Sequence, residues 1–148
     1  MRAFEPGAEV SSRRGVPSAR RSQSRRGSAA VEFAVCLPVI VLLIFGSIEA
    51  SAFIFLKQTL NVAGYEAVRE ACKSGGTSTE AMARAEAILG SRRVADYDVR
   101  FPAGDITMIP RGEPVVCEVS APTQSNSPLA GQFVKNRTLT ARVVMLKE

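Results

Sequence analysis

The chain contains no histidine. That absence removes histidine-based nucleophile triads and the imidazole ligands that most catalytic zinc sites use. Its three cysteines, Cys36, Cys72 and Cys117, are scattered and lack the close spacing of a metal motif. The carboxylates show no paired spacing suited to acid–base work, and Gly75-Gly76 is not part of a phosphate-binding loop. An enzyme is therefore not expected, nor a cofactor or a bound metal. Charge of one sign is also missing from most of the chain. Residues 1–27 hold seven arginines against Glu5 and Glu9, whereas residues 28–148 hold twelve Lys/Arg against twelve Asp/Glu. The whole net charge of +5 thus lies in the first 27 residues. A basic chain can bind phosphates, but this one has no basic patch interleaved with aromatics, so nucleic acid is not an expected partner.

What is present is a basic leader followed by a long apolar run. Residues 5–28 are rich in Ser, Arg, Gly and Pro, a composition too poor in large apolar side chains to offset ordering entropy, and they read as disordered. From Phe33 to Leu56 the chain reads FAVCLPVIVLLIFGSIEASAFIFL, with Glu49 its only charge. As a helix this run would extend about 36 Å, enough to cross a ~30 Å hydrocarbon core. A helix apolar on all sides, as VIVLLIF requires, needs lipid around it or a much larger protein. The leader arginines predict a cytoplasmic N-terminus. Pro38 removes one backbone hydrogen bond within the span, and Gly46, Ser47, Ala50, Ser51 and Ala52 form a small-residue face suited to close helix approach. Glu49 has two readings: an ionisable group in a span that serves a function, or a hydrated group near the outer interface. Cys36, inside the span, reads as a small apolar residue.

Three processing routes fit this N-terminus. A secretory signal could be cut after Ala50-Ser51-Ala52, although the apolar run is long and FIFL continues past that point. Arginine pairs at 13–14, 20–21 and 25–26 invite a twin-arginine reading, but they recur within a low-complexity tract without following hydrophobic residues. A cut after Gly27, before the apolar run, fits best. There, Gly27 is followed by SAAVEF, which places Glu32 fifth after the glycine and Phe33 next. This resembles the processing site of type IV prepilins and pseudopilins. The wider stretch RRGSAAVEFAVCLPVIVLLIFGSIEAS resembles the TadE-like family, minor pseudopilins of the Tad (tight adherence) pilus system. Its RRG-x-A-x-VEFA-x-x-LP start leads to an FG-x-x-E element, matched here by Gly46 and Glu49. AGYEAVREACKSG (63–75) resembles, more loosely, the AAREGAR-like stretch that follows in the family.

The resemblance implies cleavage between Gly27 and Ser28 by a prepilin peptidase, an integral membrane aspartyl protease of which this chain would be the substrate. Ser28 stands where many type IV pilins carry Phe. Other implied partners are Tad pilins and pseudopilins, inner-membrane platform proteins and the lipid bilayer. The implied location is the bacterial inner membrane, single-pass, with the C-terminal part periplasmic. Glu32 has a role that follows from physics alone. Cleavage creates a charged amine on Ser28, and a buried carboxylate needs such a partner, here supplied by a neighbouring subunit. Glu32, Phe33 and Glu49 are the expected assembly residues.

The domain plan is a leader at 1–27, a transmembrane helix at 28–56 and an extracytoplasmic α+β domain at 57–148. The last is roughly 90 residues, enough for a modest core but not for a large cavity-bearing enzyme. Beyond Leu56, helical spacing puts Leu60, Ala63, Ala67 and Ala71 on one side, with Glu66 and Arg69 more exposed, until Gly75-Gly76 stops the helix. Thr77, Ser78 or Thr79 caps a second helix that runs to about Leu89 and ends at Gly90. DYDVRF (96–101), ITMI (106–109), VVCEVSA (115–121) and TLTARVVML (138–146) read as strands between Pro/Gly turns. The expected fold is a long N-terminal helix packed on a small antiparallel sheet, pilin-like. Cys72 and Cys117 would face an oxidising periplasm, where a disulfide between them would clamp helix to sheet. The expected function is that of a minor pseudopilin in assembly of a Tad pilus. The alternatives are a membrane-anchored periplasmic scaffold or binding domain with its leader intact, and a secreted protein cut after Ala52.

Overall fold

A computed structural model describes residues 21–128 and 137–148, with the backbone alone for 21–26. Most of the leader expected over 1–27 lies outside the described residues. The chain divides into two compact units, Met1–Ile40 and Val41–Glu148. Helix α1, Arg21–Cys72, passes through Pro38 and supplies the described part of the first unit. Its start at Arg21 makes residues 21–28 helical, although their composition reads as disordered.

The apolar half of α1 turns its side chains outward. Leu42 is 64% exposed and Leu43 66%, and Val35, Val39, Ile44 and Phe45 are exposed as well. Among the described residues one helix, Gly27–Cys72, is long and apolar enough to cross a membrane. Exposed leucine and valine on every side suit hydrocarbon better than water.

Within Val41–Glu148, the last third of α1 becomes amphipathic and covers a sheet. Leu60, Ala63, Ala67 and Ala71 are buried, as helical spacing predicts, and Leu56 and Val68 are buried with them. Burying a leucine such as Leu60 fully stabilises by about 1.5–3 kcal/mol. The alanines and Gly64 bring the helix axis close to the sheet. A Cβ on Gly64 would stand 3.0 Å from Val143 Cγ2 and 3.5 Å from Val119 Cγ2. Helix α1 ends where Gly75 takes φ +81 and Gly76 folds back. A Cβ at Gly76 would lie 2.5 Å from the Glu70 carbonyl oxygen, so no other residue fits there without a shift.

Helix α2, Ser78–Ser91, starts on a capping box. Thr77 Oγ1 accepts from the Glu80 N–H at 3.3 Å, and the Glu80 carboxylate accepts from the Thr77 N–H at 3.3 Å. The helix extends one residue past Gly90, its expected stop, and closes on a Schellman motif. Arg93 N–H donates to Gly90 and Val94 N–H to Leu89, both at 3.0 Å. The left-handed position of that motif belongs to Arg93, with φ +55, and not to glycine.

Strands β1 (Asp98–Arg100), β2 (Pro114–Pro122) and β3 (Thr138–Leu146) form one antiparallel sheet in the order β1-β2-β3. The architecture is α+β, a long N-terminal helix on a three-stranded antiparallel sheet. β2 alternates cleanly: Val115, Cys117, Val119 and Ala121 are buried against the helices. On the other face Glu118 stands opposite both Arg100 and Arg142 in register. Its carboxylate oxygens lie 3.6 Å from Arg100 Nε and 3.7 Å from Arg142 Nε.

One strand expectation is corrected. ITMI (106–109) is not a strand; Ile106–Met108 is a 3-10 turn, because Asp105 caps it by accepting from the Thr107 N–H at 3.0 Å. Ile106 is buried from this turn, and Lys147 Nζ donates to the Ile106 and Ile109 carbonyls at 2.6 and 2.8 Å. Cys72 and Cys117 stand as free thiols in this structure, and the expected bridge between them is not formed in it. Cys72 Sγ instead lies 3.9 Å from the Met145 carbonyl oxygen, while Cys117 is sealed inside the sheet–helix core.

Candidate functional site

The sequence-predicted residues fall along α1, except Cys117 on β2, and the structure treats them differently. Near the start of the described side chains, Ser28 Oγ donates to Glu32 Oε1 at 3.2 Å, one helical turn apart. Phe33 beside it is 60% exposed. A Cβ on Gly27 would meet nothing within 4 Å, so packing within the chain does not require glycine there. The same holds for Gly46.

Glu49 is in a different situation. It lies in the apolar run, yet it is only 2% exposed. Its Oε1 accepts from Ser127 Oγ at 3.4 Å, a residue 78 positions later in the chain. Its other oxygen, Oε2, has no hydrogen-bond partner among the described residues. A buried carboxylate oxygen without a donor carries a desolvation cost of several kcal/mol unless something supplies one. Glu49 is therefore buried against its own chain in this structure and not a hydrated group. The sequence alone could not have found Ser127, because only the fold brings it to the helix.

One turn beyond Glu49, a cleft of about 670 Å³ opens beside the end of the apolar run. Phe55 forms one wall, and Arg92 and Arg93 from the end of α2 line another. The third wall is the short helix α3, Thr123–Asn126. Asn126 holds that wall in place: its Oδ1 accepts from the Ala95 N–H at 2.8 Å. Its Nδ2 donates to the Ala95 carbonyl at 3.0 Å and to the Pro122 carbonyl at 2.8 Å. The Arg92 guanidinium lies over the Phe55 ring, 5.7 Å from its centroid, and Nη1 donates to Thr59 Oγ1 at 3.4 Å. None of these residues stood out from the sequence. The available signal was an arginine pair, SRRV, where a helix C-terminus usually takes glycine.

Cys36 is exposed on the apolar half of α1, and Cys72 and Cys117 are buried apart from the carboxylates above. Burial pushes the Cys117 thiol up to about 11, with the Glu118 charge adding to the effect. Among the described residues no group of three or more Cys, Asp or Glu side chains is placed to hold a metal.

Residues 27–69 match the family model described as TadE-like protein. The matched segment begins at Gly27 and includes Glu32, Gly46, Glu49 and the sheet-facing half of α1 through Val68. No curated protein and no solved structure matches the chain.

Proposed function

Starting from this TadE-like segment, which points to a Tad pilus-associated protein, we propose that the chain is a minor pseudopilin in assembly of a Tad (Flp-type) pilus. The observation that carries the reading is the coincidence of three features in one helix. The family match begins at the glycine of the processing motif, the following helix is long and apolar enough to cross a membrane, and an amphipathic extension of it packs an α+β body. Cleavage between Gly27 and Ser28 by a prepilin peptidase removes the basic leader. Residues 28–56 then anchor the protein in the bacterial inner membrane, and 57–148 stand on the periplasmic side. Packing leaves Gly27 free to be glycine for a reason outside the fold, and recognition by a peptidase is such a reason.

After cleavage, the Ser28 amine of one subunit pairs with Glu32 of its neighbour and sets the stagger between helices. The bond from Ser28 Oγ to Glu32 Oε1 occupies one carboxylate oxygen and leaves Oε2 for that amine. Glu49 is the second assembly residue, presenting an oxygen that no described residue of its own chain satisfies. Phe33 extends the contact on the lipid-facing side.

N-terminal sequencing of the mature protein tests the processing. A start at Ser28 is expected; an intact leader would favour a membrane-anchored periplasmic scaffold, and a start at Phe53 a secreted protein. Glu32→Gln should leave cleavage intact and abolish co-purification with other pilus subunits. Normal co-purification of that variant would refute the pairing.

A further inference from the structure

The cleft beside Phe55 has no part in the processing or pairing chemistry, yet among the described residues most of its arginine N–H donors have no partner. Arg92 spends one N–H on Thr59, and among the described residues neither Arg92 nor Arg93 forms an ion pair with a carboxylate. This contrasts with Arg69, Arg84, Arg100 and Arg142, which all do. The nearby carboxylates are engaged by serines instead: Ser127 donates to Glu49 and Ser125 to Asp96. The polar atoms of Asn126 are consumed by the backbone of Ala95 and Pro122. What remains facing the cleft is two guanidinium groups, each with several N–H donors in a planar fork.

Arg93 is also conformationally expensive. Its φ of +55 places a side-chain-bearing residue where a Schellman motif favours glycine. A residue kept against backbone preference, beside a cleft, invites a functional explanation. The ligand that satisfies two forked cations is an oxygen-rich anion, and phosphate is the best geometric match. Phe55 is half exposed and is the last residue but one of the apolar run, so on the membrane-anchored reading the Arg92 guanidinium stacked on it would sit where hydrocarbon gives way to headgroups.

We propose that Arg92 and Arg93, with Phe55 as the stacking wall, bind the phosphodiester of an anionic phospholipid headgroup on the outer side of the membrane. The acyl chains of that lipid lie along the apolar half of α1. The proposal rests on the membrane-anchored reading of α1. Recovery of the protein with the lipid fraction checks that reading by itself.

The test uses the full chain in nanodiscs containing equal parts phosphatidylglycerol and phosphatidylcholine, with lipid retained after extraction into mild detergent read by native mass spectrometry. Wild type should retain phosphatidylglycerol in preference to phosphatidylcholine. An Arg92→Gln/Arg93→Gln variant should lose at least about tenfold of that retention, since charged hydrogen bonds are each worth a tenfold factor or more. Arg100→Gln, on the solvated sheet face, should lose none, and an Arg92→Lys/Arg93→Lys variant should keep part of it. Circular dichroism melts confirm that each variant is folded. Equal retention of both lipids, or unchanged retention in the glutamine variant, would overturn the proposal. So would full displacement of the lipid by millimolar inorganic phosphate, which would assign the cleft to a free anion.

Discussion

Arg93→Gly separates the backbone cost at the end of α2 from whatever the arginine side chain does. A residue with a Cβ in the left-handed region costs about 1–2 kcal/mol, and glycine does not carry that cost. Glycine has a compensating disadvantage, since it gains freedom in the unfolded chain worth about 0.5–1 kcal/mol. The motif's two hydrogen bonds, Arg93 N–H to Gly90 and Val94 N–H to Leu89, are made by backbone and survive the change. The apolar contact that accompanies them, between buried Leu89 and Val94, is untouched. The Arg93 side chain forms no ion pair among the described residues, so little is lost with it. The balance is a stabilisation of about 0.5–1 kcal/mol. For a body of this size that corresponds to a rise in Tm of about 2–8 °C. The assay is a circular dichroism melt of the full chain in phospholipid-free mild detergent, where no headgroup occupies the cleft, with Arg93→Ala alongside. Alanine keeps the left-handed cost and should give no increase. Arg93→Gly melting at or below wild type would refute the reasoning, because it would mean that the side chain itself stabilises the fold.

Gly76→Ala should destabilise by about 1–3 kcal/mol or more, because its Cβ would sit 2.5 Å from a backbone carbonyl oxygen that cannot rotate away; a melt unchanged from wild type would contradict this. Cys117 gives a pH prediction. Its thiol is raised from 9.0 to about 11, so the folded state favours the protonated form. Stability from this group is fully present below pH 9 and is lost as pH rises towards 11. Urea titrations across that window should show wild type losing stability more steeply than Cys117→Ala. Iodoacetamide at pH 8 should leave buried Cys117 unmodified until denaturant is added, an outcome that mass mapping reads directly.

Where local pattern and tertiary demand agree, the sequence reading and the structure coincide. TLTARVVML becomes β3 over the same nine residues, and VVCEVSA lies within β2, because alternating side chains have one buried and one solvated face to satisfy. The capping box at Thr77 is equally local, needing only Glu80 three residues on. ITMI is misleading because four apolar residues carry no period, and a single aspartate before them was enough to start a 3-10 turn. DYDVRF shrinks to three residues because Asp96 takes a left-handed conformation, with φ +55, and β2 is met only from Asp98. Glu32 and Gly27 stand out in sequence because their chemistry is written within nine residues. The burial of Glu49 is not visible there, since it depends on Ser127, 78 residues away. The arginine-lined cleft is hidden for the same reason: Phe55, Arg92 and Asn126 come together only when α1, the end of α2 and α3 are packed.

From Val41 to Cys72, α1 is one uninterrupted helix that carries both the Glu49 side and the Gly64 side. Each residue in such a rod advances the direction of its side chains by about 100°. The number of residues between Glu49 and Gly64 therefore acts as an angular code, fixing which compass bearing the sheet takes relative to the carboxylate. One added alanine in between would swing the sheet by more than a quarter turn and part Glu49 from Ser127. A block of seven, close to two whole turns, would nearly restore the bearing while lifting the sheet by about 10 Å. Spacing along this helix is thus a matter of orientation as much as of reach, and a subunit whose helix differs in length by one residue would face its neighbours differently.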